Sequence, residues 1–224
     1  MEYAINIAEL SFRWPKNPAF ELFIKDWQVT QGQKVFLYGP SGSGKSTLLN
    51  VLSGVLTGYS GHLQVLDCDL TTLSGAQRDQ FRAAHIGMIF QQFNLLPYLS
   101  GLQNIQLAQY FKPKHHASVQ TELLAQLCDS LQLSSTLLKQ AAATMSVGQQ
   151  QRIAVARALI NQPQLIIADE PSSALDSELR DQFIELLLTT ASSNTVIFVS
   201  HDKNIASHFD RQCNITDLRG LEHS

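Results

Sequence analysis

Apolar positions along this chain fall into short runs with two different periods. Residues 3–12, Tyr-Ala-Ile-Asn-Ile-Ala-Glu-Leu-Ser-Phe, largely alternate apolar and polar, which predicts a strand with one solvated face. Phe20 to Val29 reads as a second strand, and residues 13–19, with Pro15 and Pro18, as the loop between the two. Four further runs are short and continuously apolar: Val35–Tyr38, Ile86–Phe90, Leu165–Ala168 and Thr195–Val199. They predict buried strands, the third of a parallel type. Leu63–Leu66 is another candidate strand. The opening is therefore antiparallel β, joined to Val35–Tyr38 through Gln31-Gly32.

Helical spacing takes over between these runs. Thr47, Leu48, Leu49, Val51 and Leu52 predict one helix, and the polar stretch 75–84 another. Residues 93–144 have a different texture. Phe93-Asn94-Leu95-Leu96-Pro97 reads as an exposed apolar segment, with helices near 101–110 and 117–131. Val119, Leu123, Leu124, Leu127 and Leu131 share one stripe of the second. Ser146 with Gln149 is a capping-box pattern opening a helix through Ile153, Ala156, Leu159 and Ile160, closed by Pro163. Asp176 caps a last helix, with Leu179, Phe183, Leu186 and Leu187 toward the core. The pattern predicts an α/β core interrupted by a helical insertion.

Composition narrows the class. With 224 residues, 44% of them hydrophobic and 16% charged, the chain has material for one globular domain. A net charge of −3 argues against nonspecific nucleic-acid binding, so no nucleic-acid partner is expected. No apolar run is long enough for a membrane span, and the N-terminus lacks a signal-peptide layout. Cys68, Cys128 and Cys213 are scattered and odd in number, which fits free thiols in a reducing cytosol. His115 and His116 lie in a polar stretch and read as a solvated loop rather than a metal site.

The chemistry concentrates after the apolar runs. Gly39-Pro40-Ser41-Gly42-Ser43-Gly44-Lys45-Ser46 fits G-x-x-x-x-G-K-[ST] in full, between a strand and a helix, and Thr47 follows. Glycines let successive N–H groups curl around an anion, and the new helix start adds to the attraction. Lys45 suits the β- and γ-phosphates, and the Ser46 hydroxyl suits Mg²⁺. Asp169-Glu170 follows a buried strand, which suits an acid holding Mg²⁺ and a second polarising a water. Gln91 ends another strand, where an amide can ligate Mg²⁺ or hold the attacking water; Gln92 is the neighbouring candidate. Ser146 and Gly148 open a helix and form a second anion site. His201 ends the last strong strand, placed to donate to a phosphate. From spacing alone, Trp14 reads as a tryptophan packed on the sheet, with adenine stacking as the other option.

Together these motifs resemble the ATP-binding subunit of an ABC transporter along essentially the whole chain. Gly39–Ser46 resembles the Walker A loop, Gln91 the Q-loop, and Ser146-Val147-Gly148-Gln149-Gln150-Gln151-Arg152 the signature. Ile166–Glu170 resembles Walker B with its catalytic glutamate, Ser173–Asp176 the D-loop, and His201 the switch histidine. Trp14 stands where the family has its adenine-stacking aromatic, which reverses the reading from spacing. The signature departs from Leu-Ser-Gly-Gly-Gln in Met145 and, more consequentially, in the β-branched Val147. Phe90–Pro97 with Gly101–Ile105 resembles the branch serving lipoprotein-release and macrolide-efflux transporters.

The resemblance implies a P-loop NTPase core with a mixed, largely parallel sheet, an N-terminal antiparallel β subdomain and a helical subdomain. The core would comprise 1–92 and 162–224, and the helical part about 93–161. It implies ATP and Mg²⁺, a head-to-tail homodimer formed on ATP, and an integral-membrane permease that keeps the chain peripheral on the cytoplasmic face of the inner membrane. Two other readings stand beside export: an ATPase gating a periplasmic process through a permease, and a soluble ABC ATPase for repair or translation. The absence of long coiled coils and of a second cassette in the sequence counts against the latter.

Overall fold

The computed structural model describes residues 2–15, 17–111, 117–173 and 175–219. His115, His116 and Ala174 lie outside the described residues, as does the side chain of Val119. Two sheets carry the fold. The first is antiparallel and contains β1 (Tyr3–Trp14), β2 (Asn17–Thr30), β4 (Ser60–Val65) and β5 (Cys68–Asp69), in the order β2-β1-β4-β5. The second contains β3 (Lys34–Tyr38), β6 (Ile86–Phe90), β7 (Leu165–Asp169), β8 (Thr195–Val199) and β9 (Arg211–Asn214), in the order β6-β7-β8-β3-β9, and every pairing is parallel.

The helices are α1 (Lys45–Leu52), α2 (Gly75–His85), α3 (Gly101–Tyr110), α4 (Ala117–Ser130), α5 (Ser135–Lys139), α6 (Val147–Leu159), α7 (Ser177–Thr190) and α8 (Ile215–Leu218).

The parallel strands are apolar throughout because both faces are covered. Phe36, Ile166, Ala168, Val196 and Phe198 join one buried cluster with residues of α3, α6 and α7. Val35, Leu37, Ile167, Ile197 and Val199 alternate with them and join a second cluster with α1 and the antiparallel sheet. In β1 the alternation puts Ile5, Ile7, Leu10 and Phe12 into that second cluster.

Three expectations need correction. Residues 13–19 are not a loop as a whole: Arg13 and Trp14 belong to β1, and Trp14 pairs with Asn17 of β2. Pro18 is tolerated in β2 because β2 is an edge strand, where a missing N–H breaks no inner ladder. The segment after β6 is not simply exposed. Phe93 is buried and Leu95 packs against the first cluster, while Tyr98 projects outward. Finally, Leu179 is largely exposed; the buried stripe of α7 is Phe183, Ile184 and Leu187. β9 also went unpredicted, because Arg-Gln-Cys-Asn carries no apolar run.

The chain from Phe93 to Ser100 is irregular yet fixed. Phe93 and Asn94 have φ of 55° and 47°. Arg157 donates to both of their carbonyls. Asn104, fully buried in α3, accepts from the Leu96 N–H (2.8 Å) and donates to the carbonyls of Leu96, Leu99 and Ser100. Buried backbone groups outside regular structure need such partners. We expect Asn104→Ala to lower the unfolding free energy by about 2–3 kcal/mol, read by denaturant titration, since the freed backbone groups lose their partners without gaining water.

Candidate functional site

Parallel registration puts the strand ends in one row. Phe90 pairs with Asp169, Asp169 with Val199, and Val199 with Leu37. The residues that follow, Gln91, Glu170, Ser200 and Tyr38, therefore emerge along the same edge, the edge where ligands bind in open α/β sheets. Between the end of β3 and the start of α1 lies the glycine loop.

The loop's geometry depends on backbone conformations that side chains resist. Gly39, Gly42 and Gly44 have φ of 151°, 74° and 101°. A Cβ on Gly39 would lie 2.7 Å from Ile215 Cγ2, and one on Gly44 would lie 3.0 Å from Phe20 Cζ. Lys45 is buried, and its ammonium donates to the carbonyls of Gly39 and Pro40, each at 3.0 Å. Burial pushes its pKa below the ordinary lysine value, and the carboxylates of Glu170 and Asp169 push it back up. The loop thus curls around its own cation.

A cavity of about 380 Å³ opens on this loop. Ser41, Gly42, Gly44, Lys45, Ser46 and Thr47 form its floor, Trp14 and Phe20 one wall, and Glu170 and His201 the other. Trp14 is half-exposed and meets Phe12 edge-to-face at 5.3 Å between centroids. His201 Nε2 lies 2.6 Å from Glu170 Oε1. Glu170 has a φ of 50°, unusual for a side chain of its kind, and its N–H donates to the Val199 carbonyl at 3.0 Å. Asp169 is hydrogen-bonded to Ser46. Its pKa is raised, first by burial and then by Glu170, while Ser46, Lys45 and His201 oppose the rise.

Ser46 and Asp169 fit a Mg²⁺ site. They are hard oxygen donors already in contact, and no cluster of three or more His, Cys, Asp or Glu that could hold a metal exists among the described residues. Mg²⁺ typically takes one or two carboxylates and completes its shell with phosphate and water.

The remaining candidates stand apart. Gln91 and Gln92 are exposed and do not line the cavity. Asp176 spends one carboxylate oxygen capping α7 through the Leu179 N–H at 2.9 Å. Ser146 and Gln149 form a reciprocal capping box at the start of α6, and Val147 is 49% exposed. Neither they nor Gly148 lines the cavity. Phe20 is the wall residue that the sequence reading missed; an aromatic at the start of a strand is no signal by itself.

Residues 24–173 match the family model described as ABC transporter. The chain belongs to the ABC transporter family. It is 36% identical over 187 residues to the ABC transporter ATP-binding protein MJ0796 of Methanocaldococcus jannaschii, covering 82% of this chain and 80% of that one. It is 35% identical over 191 residues to the macrolide export ATP-binding/permease protein MacB of Pasteurella multocida, covering 85% of this chain but 29% of MacB. The dimeric post-hydrolysis structure of MJ0796 with ADP and Pi superposes with a TM-score of 0.77 at 30% identity, over 94% of this chain and 93% of that one. The ABC ATPase class and the cassette fold expected from the motifs both hold.

Gly44→Ala should test the loop's dependence on backbone freedom. At φ 101° the added Cβ is strained whatever the space, so we expect a stability loss of about 1–3 kcal/mol by thermal unfolding.

Proposed function

We propose that this chain is the ATP-binding and ATP-hydrolysing subunit of an ABC transporter. It closes as a head-to-tail homodimer on ATP and drives an integral-membrane permease, in export or lipoprotein release. The observation that carries this reading is the split of the motifs. The phosphate loop, Glu170 and His201 line one cavity, while the signature residues sit elsewhere on the same chain. Gly148 supports the need for a second copy. A Cβ there would meet only Gln151 Oε1, at 3.9 Å, so nothing among the described residues requires a glycine. A glycine in a helix costs about 1 kcal/mol relative to alanine. A partner's phosphate against α6 supplies a reason for it.

Within this reading each residue has one task. The loop amides and Lys45 bind the phosphates. Ser46 and Asp169 would hold Mg²⁺, with Gln91 at the end of β6 as a further ligand, and the ion would neutralise phosphate charge. Glu170 accepts the proton of the attacking water, and His201, already against Glu170, holds its carboxylate in place. Trp14 stacks on the adenine, with Phe20 in the same wall. Ser146, Gly148 and Gln149 of one copy close on the nucleotide of the other, with Asp176 beside them.

Residues 1–92 and 162–224 act as the core and about 93–161 as the helical part, joined through one continuous apolar cluster. The permease docks beside Phe93–Leu99, where an apolar cavity of about 610 Å³ is lined by Val55, Met88, Phe90 and Phe111. No helix among the described residues is long and apolar enough to cross a membrane, which fits attachment to the cytoplasmic face through that partner.

Glu170→Gln tests the reading. Removing the base should cut ATP turnover by about 10²–10⁴-fold while binding survives. Light scattering after size exclusion should then show a monomer without nucleotide and a dimer with ATP. Normal turnover would place the base elsewhere. Inactive protein that stays monomeric would implicate Val147, and adding Val147→Gly should then restore the dimer. Separately, in a Trp27→Phe background, Trp14 emission should change when ATP is added, because stacking alters its environment; unchanged emission would leave Trp14 as a packing residue.

A further inference from the structure

The chain from β9 onward takes no part in the chemistry above, yet it lies against the phosphate loop at both ends. β9 runs beside β3, with Asn214 opposite Tyr38. Ile215 and Asn214 crowd the space under Gly39. Arg219, directly after α8, donates from Nη1 to the Ser43 carbonyl at 3.2 Å and from Nη2 to the Glu21 carbonyl at 2.7 Å. Its guanidinium carbon lies 5.4 Å from the centre of the Phe20 ring, and Phe20 is the side chain nearest to Gly44. Residue 219 falls outside the 24–173 stretch that the family model matches.

We propose that Arg219 is a positioning residue for the phosphate loop, setting the affinity of the site for the triphosphate. The inference rests on the ATPase reading above. An anion-binding loop works by turning N–H groups inward, which turns carbonyls outward. In a trans peptide the Ser43 carbonyl and the Gly44 N–H point in opposite directions. Holding that carbonyl therefore fixes the direction of the N–H, on a residue that lines the cavity.

Gly44 has no Cβ to resist rotation of the adjoining peptide, so without an external hold more orientations are open to it. Each added orientation lowers the fraction of loops ready to bind, and the apparent affinity falls with that fraction. The planar fork of arginine matters because it reaches two carbonyls on two elements at once, β2 and the loop. A lysine carries the same charge as a single point and does not bridge both in that geometry.

The test compares the full chain with Arg219→Ala and Arg219→Lys, using ATP titration calorimetry without Mg²⁺, steady-state ATPase assays and thermal melts. We expect Arg219→Ala to weaken ATP binding and raise KM by about tenfold, the loss of one charged hydrogen bond, with kcat at saturation within about twofold. Arg219→Lys should resemble the alanine variant in affinity while melting within a few degrees of the parent. Should Arg219→Ala fail to fold, Arg219→Lys decides alone. Parent-like ATP affinity in either folded variant would overturn the proposal, as would a fall in kcat with affinity unchanged. A parent chain that binds no ATP would instead bring down the ATPase reading itself, so the two failures are distinct.

Discussion

Burial of the parallel sheet on both faces is the constraint from which the site follows. With apolar clusters above and below, the strands can carry polar chemistry only where they end. Parallel registration puts those ends in one row, so a lysine loop, two acids and a histidine converge from segments as much as a hundred residues and more apart. The antiparallel sheet adds the aromatic wall from the far side.

Burial also sets the electrostatics. Lys45 and Asp169 are each pushed toward their neutral forms by desolvation, and each is partly restored by the other. An isolated charge at either position would be costly; the pair is tolerable, and a phosphate with its counter-cation extends the same alternation of sign. The overall charge of −3 contributes little here, since the local arrangement decides what binds.

The strands buried on both faces were legible because continuous apolar runs have few other uses, and the glycine loop because its spacing admits little else. Ser146 was legible as a helix start for a reason that recurs: Ser74 with Gln77 and Ser100 with Gln103 form the same capping box in this chain. The pattern therefore reports where a helix begins and not whether an anion sits there. What the sequence hid was tertiary. β9 is a strand because β3 offers it an edge, Pro18 is allowed because β2 has a free one, and Phe93 is buried because Arg157 folds its backbone inward. Arg219 and Phe20 meet across almost the full length of the chain, which no local period records.

The clamp of Arg157 on the carbonyls of Phe93 and Asn94 has a mechanical side. Arg157 stands near the C-terminal end of α6, and Ser146 caps its N-terminal end. Thirteen helical residues make a stiff rod roughly 20 Å long, so a tilt of about ten degrees at the clamp swings the far tip by roughly 3 Å. That sweep equals the whole length of a hydrogen bond. The angle of one rod, gripped just past the Gln91 strand end, therefore decides whether the tip is within bonding range of anything placed opposite it.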